Sequence, residues 1–164
     1  MYAIVTFLTG GEVFAADADA INSVGEAPGV IARFNKKAGK SAAVRDDGSG
    51  ILLVDLAMLL GKGVTRPAPD ARILYVQGEE CAIAFLVEEV RDFTILDEGG
   101  LQFPDDVGES HAGAVPAQTC RHRGERLLLL DLGAVAESIC SARARGAAQD
   151  ASAKRKHTNS APLQ

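Results

Sequence analysis

The chain has no tryptophan, and aromatic residues make up only 5% of it. A core built from it must be filled by aliphatic side chains. No apolar stretch approaches the roughly 20 residues that a membrane-spanning helix needs. Direct membrane insertion is therefore not expected. The N-terminal Met1-Tyr2-Ala3-Ile4-Val5-Thr6-Phe7 lacks the basic start and cleavage pattern of a signal peptide. Basic residues are not in excess: the net charge is −5. That argues against general nucleic-acid binding, which needs a basic face. The three cysteines, Cys81, Cys120 and Cys140, are odd in number and far apart, with no Cys-x-x-Cys pair. They predict no disulfide framework and fit a reducing, cytoplasmic compartment.

Apolar residues are plentiful, at 47% of 164 residues. This is enough for one ordinary domain, or for two small ones sharing a core. One pattern occurs twice: Ile51-Leu52-Leu53-Val54-Asp55-Leu56 and Leu127-Leu128-Leu129-Leu130-Asp131-Leu132. An unbroken apolar run reads as a strand buried on both faces. The aspartate that ends it is suited to cap a helical turn, because its carboxylate accepts from free backbone N–H groups. Two such units predict two similar subdomains, approximately 15–65 and 66–130, with terminal segments exchanged.

Between these landmarks the chain reads mainly as β structure. Tyr2–Leu8 and Val13–Ala16, joined by Thr9-Gly10-Gly11-Glu12, predict a hairpin. Asp17–Val24 suits either a short helix or a continuing strand. Val30-Ile31 and Ala42-Ala43-Val44 are candidate short strands in a glycine-rich stretch with Lys36, Lys37 and Lys40. Ala71–Val76 and Cys81–Val87 predict a second hairpin, and Val90, Phe93 and Ile95 a further strand. Phe103–Ala112 reads as loop. Ala114–Cys120 and Arg126–Leu130 are strands, and a helix is predicted from Leu132 to about Ala144. Residues 145–164 shift to Ala, Ser, Gln, Lys and His and predict a disordered, mildly basic tail.

Signatures of chemistry are weak. Gly39-Lys40-Ser41 resembles the end of a phosphate-binding loop, but that motif needs a glycine where Phe34 stands. Cys120-Arg121-His122, with His111, lacks the spacing of a zinc site. There is no nucleophile elbow and no activated cysteine context. Asp55 and Asp131 read as caps, and the neighbours Glu88-Glu89 and Asp46-Asp47 would point to opposite faces of a strand. The expectation is no catalytic residue, no metal and no cofactor. Such a chain works through surfaces, either an exposed strand edge or an apolar groove.

The order of the segments resembles the CheW-like domain of bacterial chemotaxis. The opening hairpin Phe7–Phe14, Ile21-Asn22-Ser23-Val24, Leu52-Leu53-Val54-Asp55-Leu56, Phe85-Leu86-Val87-Glu88-Glu89-Val90 and Leu129-Leu130-Asp131-Leu132 each match a family segment, in order, over Tyr2 to about Ile139. The resemblance implies a mainly β fold over 1–144: two SH3-like five-stranded β-barrels around a shared apolar core, with short helices. It implies a non-enzymatic adaptor whose partners are a chemoreceptor cytoplasmic domain (a methyl-accepting chemotaxis protein) and a CheA-type histidine kinase. The implied partner-binding residues are Ile21, Ser23, Val24, Arg45, Asp46 and Asp47. The chain departs from the family here: Asp47 stands where the family has arginine, and Ser23 where it has glutamate. A reversed charge at a contact is a means of discriminating partners. Two alternatives stand beside the adaptor. One is a regulator that binds receptor or kinase only. The other is a β-barrel small-molecule binder, which predicts a polar pocket with convergent ionisable groups.

Overall fold

The computed structural model describes residues 2–35, 43–46, 48–66, 68–97, 99–102 and 111–160. Among these described residues twelve strands form two sheets. Strands β1 (Ala3–Thr9) and β2 (Glu12–Asp17) make the predicted hairpin, with Phe7 opposite Phe14. Gly10 and Gly11 both have positive φ, as a two-residue hairpin turn of the mirror type requires. A 3₁₀ turn, Ala18–Ala20, follows and resolves the ambiguous stretch before β3 (Ser23–Glu26).

The next element differs from expectation. Val30-Ile31 lies in helix α1 (Ala27–Asn35) rather than in a strand. Pro28 occupies the first turn, where a missing N–H costs nothing. Ala27, Ile31 and Phe34 then recur at helical spacing and are buried together against Leu53, Ile73 and Leu86. After α1 come β4 (Val44–Asp46), β5 (Ile51–Asp55) and the short helix α2 (Leu56–Leu59), which Gly61 ends with a positive φ. The second hairpin is β6 (Arg72–Gln77) and β7 (Ala82–Val87). Then follow β8 (Glu89–Ile95), β9 (Leu101–Gln102), β10 (His111–Ala112), β11 (Val115–His122) and β12 (Glu125–Leu130). Helix α3 runs from Leu132 to Ser160. The helix continues through residues 145–160, part of the stretch whose composition reads as a disordered tail. Ala, Arg, Gln and Lys are strong helix formers, and extending a helix already nucleated is far easier than starting one.

The sheets share one plan. The smaller has the order β3-β6-β7-β5-β4. The larger contains β8-β1-β2-β12-β11, with β9 and β10 added beside β11. Matching pairs agree in direction: β5 with β7 and β12 with β2 are parallel, and the rest are antiparallel. Each sequence half therefore supplies a hairpin and three strands, and each hairpin joins the other half's strands. This corrects the expected boundary. Strands β6 and β7 fall within 66–130 in sequence, yet they complete the sheet of β3–β5. The exchange is reciprocal because the parallel partner of β5 is β7, and that of β12 is β2.

The repeated apolar runs are buried on both faces as expected. Leu52 and Val54 enter the core between the sheets, with Phe7, Phe14, Phe85 and Leu130, whereas Leu53 faces α1. In the second copy Leu130 enters the shared core, and Leu129 joins Ile4, Ala15 and Cys120 on the far side of the larger sheet. Leu132, Val135, Ala136 and Cys140 bring the first turns of α3 into the same core. Each buried leucine contributes about 1.5–3 kcal/mol.

Candidate functional site

The capping aspartates occupy equivalent corners. Asp55 caps α2 through Ala57 N–H at 3.1 Å. It also accepts from Thr65 N at 2.9 Å and Thr65 Oγ1 at 2.6 Å. Asp131 caps α3 through Ala134 N–H at 2.9 Å. Their carboxylates are engaged in structure.

The smaller sheet carries the candidate partner-binding residues on its two edge strands. Strand β3 pairs with β6 alone, leaving its other side without a strand partner among the described residues. Ser23 and Val24 are exposed there, Val24 to 38%. Asn22 N–H donates to the Tyr75 carbonyl, and its side-chain oxygen accepts from Gln77 N–H, both at 2.8 Å. These bonds fix the entry of β3. Ile21 differs in character: it is half-buried and packs on the shared core.

Strand β4 is the opposite edge. Arg45 is buried, opposite Leu53, and so belongs to the sheet more than to a docking surface. Asp46 accepts from Gly48 N–H at 2.7 Å and pairs with Arg143 of α3. Gly48 has φ of +85°, the left-handed backbone that a glycine supplies at this turn. Asp47 lies outside the described residues, as do Lys36, Lys37, Lys40 and the Gly39-Lys40-Ser41 motif. Val44, 36% exposed on β4, was not singled out by sequence. Phe93 and Ile95 were read only as strand residues. They are 60% and 47% exposed on β8, the edge of the larger sheet. The alternation Arg91, Phe93, Ile95 was the available signal for a shared outward face.

Chemistry is sparse. A cavity of about 300 Å³ is lined by Tyr2, Asp17, Gln118, Leu130 and Asp131, among others. The Tyr2 hydroxyl donates to Asp17 at 3.1 Å. Burial first, then the charge and hydrogen bond of Asp17, raise the Tyr2 pKa to about 12. The ionisable groups in this cavity are all acids, so it offers no acid–base pair of the kind acyl transfer uses. Cys120 is fully buried, and burial pushes its thiol up to about 11. That makes it a core residue and a poor nucleophile. His122, also buried, has its Nδ1 3.8 Å from Asp97 Oδ1. Among the described residues no group of three or more His, Cys, Asp or Glu could hold a metal ion. Nor is any described helix long and apolar enough to cross a membrane.

One feature contradicts the sequence reading outright. Cys81 and Cys140 form a disulfide across 59 residues, with Cα atoms 5.7 Å apart. That separation is ordinary for a disulfide. The pairing arises because α3 packs its Cys140 against the turn that ends in Cys81.

Two β-sheets with reciprocally exchanged hairpins, edge strands bearing exposed valines and carboxylates committed to capping define a scaffold domain. The model of the CheW-like domain matches residues 3–140, and the chain belongs to that family, whose members are non-enzymatic scaffolds. The fold is similar to that of the scaffolding protein TtCheW from Thermoanaerobacter tengcongensis. The TM-score is 0.57 and the identity 18%, over 79% of this chain and 88% of that one. No curated protein sequence matches the chain.

Proposed function

We propose that this chain is a chemotaxis adaptor of the cytoplasm, coupling a chemoreceptor's helical hairpin to a CheA-type histidine kinase. The observation that carries the reading is the CheW-like domain spanning residues 3–140. The exposed edge strand β3 supports it by offering Val24 and a side with no strand partner among the described residues, where the resemblance places partner-binding residues. An apolar residue on such an edge suits a helical or extended partner. Ser23, Val24 and Asp46 are the proposed contacts, with Asp47 added from sequence alone, while Ile21 and Arg45 are buried or half-buried and support the two edge strands.

A second reading is a regulator that binds receptor or kinase only. The Asp46–Arg143 ion pair favours it, because the Asp46 carboxylate is already engaged within the chain. Titration with the cognate receptor and kinase, followed by kinase assays in reconstituted arrays, tests both readings. An adaptor binds both partners and raises kinase activity. A regulator binds one and leaves activity flat or lowered. No binding of either at tens of micromolar ends both readings.

A further inference from the structure

The sulfur pair sits at a junction of three elements. Cys81 closes the turn of the β6–β7 hairpin, and Cys140 lies on the third turn of α3. Gly78 of that turn makes the approach feasible. A Cβ there would stand 3.0 Å from Cys140 Sγ and 3.0 Å from the Cys81 carbonyl. Gly78 N–H donates to the Cys81 carbonyl at 2.8 Å, and Gln77 N–H to Asn22 Oδ1 at 2.8 Å. The turn is thereby wired to the start of β3. One helical turn beyond Cys140, Arg143 reaches Asp46 on β4. Helix α3 is thus fastened to the smaller sheet at two places, covalently at the turn between the inner strands β6 and β7 and by an ion pair at the edge strand β4.

The two fastenings differ in strength. Arg143 is about half exposed, and an exposed ion pair contributes about 0–1 kcal/mol. Leu132, Val135, Ala136 and Ile139 seat the first turns of α3 in the core without help from the disulfide. The described side chains beyond Cys140, residues 141–146, are exposed or half-exposed. Beyond the core-packed Cys140, what ties α3 to the smaller sheet is therefore chiefly the sulfur bond at its base.

We propose that Cys81 and Cys140 form a reversible thiol–disulfide clasp that sets whether α3 beyond Ile139 is held against the smaller sheet. The co-reactant is a low-molecular-weight disulfide for closing and a thiol for opening. Cys81 is half-buried and Cys140 only 3% exposed, so exchange begins at Cys81. The Cys81 thiolate attacks one sulfur of the small disulfide and forms a mixed disulfide, releasing one small thiol. The Cys140 thiolate then attacks the Cys81 sulfur and displaces the second. Two protein thiols lose two protons and two electrons, and the small disulfide becomes two thiols. Opening reverses these steps, with the reductant attacking Cys81 and Cys140 leaving.

The test uses the full chain equilibrated with oxidised glutathione or with dithiothreitol under native conditions. Thiols are then counted by alkylation and mass, and amide exchange is followed along α3. Oxidation is expected to leave one alkylatable thiol in denaturant, that of Cys120, and dithiothreitol to restore three. Exchange over residues 140–146 is expected to accelerate about tenfold or more on reduction, with 132–139 changing far less. Cys140→Ser should show the fast exchange under both conditions. If that variant does not fold, the wild-type comparison stands alone. The proposal is overturned by any of three results: thiols that stay free in oxidised glutathione, a bond that native dithiothreitol cannot open, or equal exchange in both states. None of these readouts involves a receptor or kinase, so the clasp stands or falls apart from the adaptor reading.

Discussion

Asp55 accepts the Thr65 hydroxyl at 2.6 Å inside the protein, where Asp55 retains 3% of its surface exposed and Thr65 6%. With two further backbone donors, Ala57 and Thr65 N–H, this carboxylate ties β5, the start of α2 and the connector after Gly63 into one corner. Its sequence twin Asp131 is exposed, and its carboxylate accepts from Ala134 N–H as the cap of α3. The copies share a capping role, but among the described residues the first alone also anchors a distant segment.

Asp55→Ala is expected to destabilise the fold by about 3 kcal/mol, because a cap is lost and Thr65 keeps buried donors without an acceptor. Asp131→Ala should cost about 1 kcal/mol, the value of a solvated cap. Urea unfolding of the two variants checks the ranking. Equal losses would refute the anchoring role of Asp55.

Val24→Asp places a charge on an exposed strand edge and should leave stability within about 0.5 kcal/mol. Under the adaptor reading it weakens receptor or kinase binding at least tenfold, measured by titration. Ile21→Ala should behave in the opposite way, losing about 2 kcal/mol of stability because Ile21 packs on the core.

Alkaline pH should unfold the protein early. Tyr2 is raised from 10.0 to about 12 and Cys120 from 9.0 to about 11. Both groups hold their protons longer folded than unfolded. Their stabilisation is therefore full below about pH 9 and is lost as pH rises through 11 and then 12. Denaturant midpoints between pH 8 and 12 should fall more steeply for the wild type than for the Tyr2→Phe, Cys120→Ala double variant.

Gly78→Ala introduces a Cβ at 3.0 Å from Cys140 Sγ and from the Cys81 carbonyl. Closure of the disulfide by oxidised glutathione should slow several-fold, measured by quenched alkylation. Gly11→Ala, whose Cβ meets nothing within 4 Å, should leave closure unchanged and be strained only by its positive φ.

Much of this was legible in sequence, for physical reasons. The Gly10-Gly11 turn and the doubled Leu-Asp-Leu runs state their own geometry locally. Helix α1 was hidden by Pro28 and the surrounding glycines, although Ala27, Ile31 and Phe34 already had helical spacing. The disulfide was hidden because Cys81 and Cys140 meet only through packing, 59 residues apart. Within the candidate site, Ser23 and Val24 lie exposed on an edge strand. The burial of Arg45 was not legible, since an arginine in a turn-adjacent strand normally reads as solvated. The assignment of β6 and β7 to the smaller sheet was equally hidden, because no residue in a hairpin names its neighbour across a parallel pairing.

The reciprocal hairpin exchange has a consequence for how the chain could be divided. Neither half contains all the strands of either sheet. A cut in the connector near Pro69, which leaves every strand intact, should yield two fragments, each unfolded alone. Mixed, they should complement one another, because β1–β2 finds β12 and β8 whether or not the backbone is continuous. Circular dichroism of the separate and combined fragments would show β structure only in the mixture, and would mark this molecule as an intramolecular heterodimer of its own two repeats.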